Sequence, residues 1–110
     1  MKIALLFGLL LSSQAFSSEL SLEVKQAFEK DQKSICTVKQ LPSFTKDPVY
    51  SVFCENAKIA SSFTVFIQSN KLGGSGESWL KNSSNEGECE VSGEVINEKI
   101  TALEIYCLSK

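Results

Sequence analysis

Hydrophobic positions recur along this chain with two periods, and the change from one to the other divides it. In residues 18–33, Leu20, Val24, Ala27 and Phe28 fall at i, i+4, i+7 and i+8, the stripe of an amphipathic helix. Glu19 and Glu23 lie near its start, and Lys30 and Lys33 near its end, the order a helix dipole prefers. No glycine or proline interrupts it. The stripe predicts a helix laid on a sheet.

Beyond residue 34 the period drops to two, and strands are predicted over 35–40, 49–55, 59–68, 89–96 and 100–108. Pro42 and Pro48 fall in the first connection and keep it from being a strand. Asn56-Ala57-Lys58 and Asn97-Glu98-Lys99 read as turns. Phe63, Val65 and Ile67 share one face while Phe66 lies on the other, which predicts a central strand covered on both sides. Residues 69–88 lose the pattern. Gly73-Gly74-Ser75-Gly76 and Asn82-Ser83-Ser84-Asn85-Glu86-Gly87 carry turn chemistry, with one helical turn expected over 77–81 around Trp79 and Leu80. A flexible linker is therefore expected near 69–88. The fold class is α+β: an N-terminal helix on a mainly antiparallel sheet of about five strands.

The cysteines sharpen this picture. Cys36 and Cys54 are 18 positions apart, as are Cys89 and Cys107. Each pair opens with Cys-x-Val (Cys36-Thr37-Val38, Cys89-Glu90-Val91). Each closes with a β-branched residue, an aromatic and the cysteine (Val52-Phe53-Cys54, Ile105-Tyr106-Cys107). The repeat favours two hairpin units, each with its own bridge, over the two crossed connectivities that four cysteines also allow. Setting Cys89 opposite Cys107 places Val91 opposite Ile105, Gly93 opposite Leu103 and Val95 opposite Thr101, all on the bridge's face. Glu90, Ser92, Glu94, Ala102, Glu104 and Tyr106 then share the other face. The first hairpin aligns Cys36 with Cys54, Val38 with Val52 and Gln40 with Tyr50.

Residues 1–17 read as a secretory signal peptide: Lys2, an apolar run from Ile3 to Leu11, then small residues with cleavage after Ala15 or Ser17. The run is about half the length a membrane span needs. Residues 18–110 then form one small domain, exported to the periplasm or the extracellular space, where an even cysteine count reads as disulfides. Each bridge closes a loop worth about 3 kcal/mol in the chain-entropy model.

Charge and composition remove several functions. All eleven basic residues are lysines, and the formal net charge of −2 becomes one unit more negative once Lys2 is removed. A nucleic-acid binder carries a basic stripe, often with arginine as its bidentate phosphate reader, and neither is present. With no histidine, Ser-His-Asp and Cys-His catalysis are unavailable. No C-x-x-C pair exists for zinc or for thioredoxin-like redox work, so no metal and no cofactor is expected. Ser43-Phe44-Thr45-Lys46 and Ser78-Trp79-Leu80-Lys81 match S-x-x-K without the elements that make that motif informative. Asn82-Ser83-Ser84 matches the N-glycosylation acceptor.

Two features point to binding. Glu86, Glu88, Glu90, Glu94 and Glu104 form an acidic group, of which Glu90, Glu94 and Glu104 share the outer face of the last hairpin. Trp79, the only tryptophan, sits in the expected linker. A basic protein would be steered to such a face, although acidic runs more often only solvate a surface and tryptophans are more often buried. The size, leader, disulfides, acidity and β-rich pattern are of the kind seen in small exported enzyme inhibitors, a likeness of type that no diagnostic motif carries. The leading expectation is a non-catalytic exported binding protein, in its sharpest form an inhibitor of a basic hydrolase, with Glu90, Glu94, Glu104 and Trp79 as contacts. The alternatives are a structural module of the cell envelope or secretome with no specific ligand and, more weakly, a small enzyme.

Overall fold

The computed structural model describes residues 19–82 and 86–109. The expected leader therefore lies outside the described residues, as do Ser83 and Ser84 of the glycosylation acceptor. Residues 19–32 are helical (α1). Six strands follow: β1 (Ile35–Leu41), β2 (Val49–Glu55), β3 (Ile59–Gln68), β4 (Lys71–Leu80), β5 (Glu86–Ile96) and β6 (Lys99–Ser109). They form one antiparallel sheet in the order β1-β2-β3-β4-β5-β6, each strand beside its neighbours in sequence. The α+β reading holds, with six strands rather than about five. Among the described residues no helix is long and apolar enough to cross a membrane.

Helix α1 covers one face of the sheet. Val24 and Phe28 are fully buried, and the Phe28 ring meets Phe63 of β3 at 5.2 Å between centroids. Around them pack Cys36, Tyr50, Val52, Cys54, Val65, Ile67, Leu72, Cys89, Val91 and Val95, with Leu20 of the helix at the margin. The helix ends at Lys33, which takes a left-handed φ of 51°, the conformation that commonly stops a helix. Two helical carboxylates then reach the sheet: Glu29 Oε2 accepts the Cys36 N–H at 3.0 Å, and Glu23 Oε1 accepts the Ile100 N–H at 3.1 Å. Burial pushes the Tyr50 phenol pKa up, against a hydrogen bond with Ser21 that lowers it.

The bridges are Cys36–Cys54 and Cys89–Cys107, each between directly opposed residues of adjacent strands, as the repeat favours. The first hairpin has the expected register throughout. The last has it from Cys89 to Glu94 and then slips: Val95 pairs with Ile100, where the alternation places Thr101. The turn explains the slip. Asn97 and Glu98 both have positive φ (52° and 63°), the signature of a two-residue I′ hairpin loop, so Lys99 belongs to the strand and pairs with Ile96. That turn demands a register one residue out of step with the bridge. A bulge between Glu94 and Val95 absorbs the difference, and the extra residue, Thr101, bonds through Oγ1 to the Glu94 carbonyl.

The sixth strand is β4, lying where the sequence reads as linker and helical turn. Glycine there marks a close approach of strands. A Cβ on Gly76 would collide with the Ser62 carbonyl oxygen and lie 2.5 Å from the Phe63 ring. Gly73 sits beneath the Phe66 ring, which a Cβ would touch at 3.0 Å. Large β3 side chains thus fill the space β4 leaves, an aromatic rescue of a glycine-rich strand. Phe66 itself is 44% exposed, so β3 is central but covered on one side only.

Three outcomes follow from this packing. Gly76→Ala is expected to lower unfolding free energy by about 1–3 kcal/mol, the usual range for overpacking, read from urea denaturation. Partial reduction with a phosphine followed by alkylation and peptide mapping should open Cys89–Cys107 first, because Cys107 is exposed while Cys36 and Cys54 are each 1% exposed. The Glu29 carboxyl pKa is held below its ordinary value near 4.5 by the Cys36 N–H first and Lys25 second. A depressed pKa contributes stability above the unfolded value, and that contribution is lost as pH falls through the folded one. Glu29→Gln should therefore be less stable than wild type at neutral pH and lose less on acidification, with the gap closing as pH drops below the ordinary carboxylate range.

Candidate functional site

The face of the sheet opposite α1 has no cover among the described residues. Strand alternation places on it Phe53 of β2, Ser62, Thr64 and Phe66 of β3, Ser75, Glu77 and Trp79 of β4, Glu88, Glu90 and Glu94 of β5, and Glu104, Tyr106 and Leu108 of β6. Antiparallel register converts these into rows running across the strands. One row reads Phe53, Ser62, Glu77, Glu88, Leu108; the next reads Ser51, Thr64, Ser75, Glu90, Tyr106. Small hydroxyl side chains on β3 and β4 thus lie beside larger groups, Phe53 on the β2 side of the first row and Glu90 and Tyr106 on the β6 side of the second. The result is a shallow basin of about 610 Å³, floored by Ser62, Thr64 and Ser75 and rimmed by Glu77, Glu90 and Tyr106.

The acidic side chains concentrate at this basin. Glu77 and Glu88 stand directly opposite each other, and Glu90 follows two residues along β5 on the same face. Like charges in direct cross-strand opposition cost stability in isolation, and an approaching cation would gain from the carboxylates of Glu77 and Glu90. Tyr106 and Leu108 are 61% and 60% exposed and give the same surface apolar area.

The residues expected as contacts all fall on this face but do not form one cluster. Glu90 and Glu104 are diagonal neighbours, since Glu90 pairs with Tyr106 and Glu104 with Ser92. Glu94 stands opposite Lys71, so its immediate cross-strand neighbour is a cation. Trp79 lies at the other end of β4 from that pair, eight residues or about 27 Å away along an extended strand. It is half-buried, and its cross-strand neighbour Ala60 is only 4% exposed although it lies on the open face. Trp79 therefore acts first as a cover for Ala60. Glu77 and Ser75 are not legible as part of a site, because they lie in the stretch that reads as linker, and without them Ser62 and Thr64 of β3 have no partner row. The alternation of Ser75, Glu77 and Trp79 was the signal that could have found them.

Neither S-x-x-K motif assembles a nucleophile. Ser78 shares a 3.0 Å hydrogen bond with the buried Ser61 hydroxyl, and Lys81 pairs with Glu55 at 3.0 Å. Ser43 bonds within its own loop, to Thr45. Among the described residues no three acidic, cysteine or histidine groups converge as a metal-binding set. What the face can do chemically is present fixed negative charge and exposed apolar area over a rigid sheet. The chain matches no protein-family model, no curated protein and no solved structure.

Proposed function

We propose that this protein is an exported, non-catalytic binding protein whose open sheet face takes the surface of a basic partner, in its sharpest form a basic hydrolase that it inhibits. One observation carries the reading: the uncovered face sets Glu77 and Glu90 around a basin bordered by Tyr106 and Leu108. An exposed apolar patch rimmed by charge is the kind of surface that marks an interaction site. Charge of one sign steers a complementary partner and raises its rate of encounter. Two disulfides and the leader-like N-terminus support export. The centre of the proposed contact is Glu77, Glu90 and Tyr106, with Glu104 beside it and Glu94 and Trp79 at its margins.

The test is capture by immobilised mature protein of basic secreted hydrolases, followed by titration of the complex in rising salt. Wild type should give a discrete complex that weakens as salt is added. The Glu77→Lys/Glu90→Lys double variant should weaken it by more than about tenfold with an unchanged melting curve, while Trp79→Ala and Glu94→Ala should each cost less than about threefold. An unchanged complex in the double variant, or one insensitive to salt, would rule the reading out.

A further inference from the structure

The sheet has two edges, β1 and β6, and they are not alike. In an antiparallel pair, opposed residues alternate between wide positions that exchange main-chain hydrogen bonds and narrow ones that do not, with Cα separations of about 5.5 and 4.5 Å. Both bridged pairs have Cα atoms 4.0 Å apart, so both are narrow. The main-chain groups of Cys36 and Cys107 therefore point away from the neighbouring strand, toward the open edge. On β1 this is seen directly: the Cys36 N–H is taken by Glu29 of α1. That edge is also short, carries Lys39, and runs into Pro42 just past its end, all devices that discourage further pairing.

β6 has few such guards. It runs from Lys99 to Ser109 with no internal lysine or proline. Glu23 takes the Ile100 N–H at its start, and beyond that point no strand lies on its far side among the described residues. By the same alternation, the main-chain groups of Leu103, Ile105 and Cys107 point outward. Leu103 and Ile105 are packed against the core yet only partly buried, because the sheet stops there.

We propose that β6 is a dimerisation edge, pairing antiparallel with β6 of a second copy about a two-fold axis at Ile105. The sequence is self-complementary in that register. Ile105 meets Ile105 of the second copy, and Leu103 meets Cys107, on the core face. Glu104 meets Tyr106 and Ala102 meets Leu108 on the open face. The outward main-chain groups of Leu103, Ile105 and Cys107 find each other, so the ladder continues unbroken. Centring on Glu104 instead would set two carboxylates in direct opposition, which is unfavourable. Centring on Leu103 would bring the pairing onto Ile100, whose N–H is already engaged by the helix. A two-fold axis normal to the sheet keeps both helices on one side and both open faces on the other. The inference does not depend on the partner proposed above.

Sedimentation of the mature chain from low to high micromolar concentration, at physiological salt, tests this. Wild type should pass from monomer to dimer and stop there. Tyr106→Glu, which places glutamate opposite Glu104 at two symmetric positions, should raise the dimer dissociation constant by about tenfold or more. Adding Glu104→Lys to that variant restores opposite charges and should restore the dimer. Tyr106→Lys should retain the dimer, and Tyr106→Lys/Glu104→Lys should lose it, a second pair that serves if the glutamate variant fails to fold. A monomer at every concentration, growth beyond a dimer, or equal weakening by Tyr106→Glu and Tyr106→Lys would overturn the proposal.

Discussion

One helix can cover only one face of a six-stranded sheet, and the rest of this structure follows from that constraint. The burial of Val24 and Phe28 against Phe63 and its neighbours decides which side of every strand is core. Once that side is set, period-two alternation sends Glu77, Glu88, Glu90 and Tyr106 to the other. The acidic, partly apolar face is thus a product of the same packing that stabilises the fold. Glu23 and Glu29 extend the helix's influence to the edges by taking main-chain N–H groups at β6 and β1.

The small core explains why covalent and glycine devices recur. A chain of this length buries a modest share of its surface, and here the sheet's second face adds little to the core. Two bridges offset part of that shortfall. The glycines of β4 offset another part by letting β3 side chains close over the neighbouring strand.

Much of the fold was legible because its signals were local. The helix stripe, the cysteine repeat and the alternation of β3 each depend on residues close in sequence, and each appears in the structure at nearly the expected bounds. What could not be read depended on neighbours brought in by folding. Gly73, Gly74 and Gly76 read as linker because nothing nearby in sequence shows that Phe63, Val65 and Phe66 will fill the space above them. The Thr101 bulge was hidden because turn and bridge each fix a register, and only together do they conflict. Because β4 reads as linker, Ser75 and Glu77 give no sign in the sequence of facing Thr64 and Ser62, nor Trp79 of lying over Ala60.

The placement of the two bridges bears on how the chain reaches this state. Each joins strands that are already sequence neighbours, and every strand pairs with the one before it. No contact in the ladder has to wait for a distant part of the chain to arrive. Meanders of this kind have low contact order for a β-rich protein and are correspondingly quick to form. Oxidation then becomes two independent closures at opposite ends of the sheet. The first hairpin can be sealed before the last one has formed, since neither bridge needs the other's strands in place.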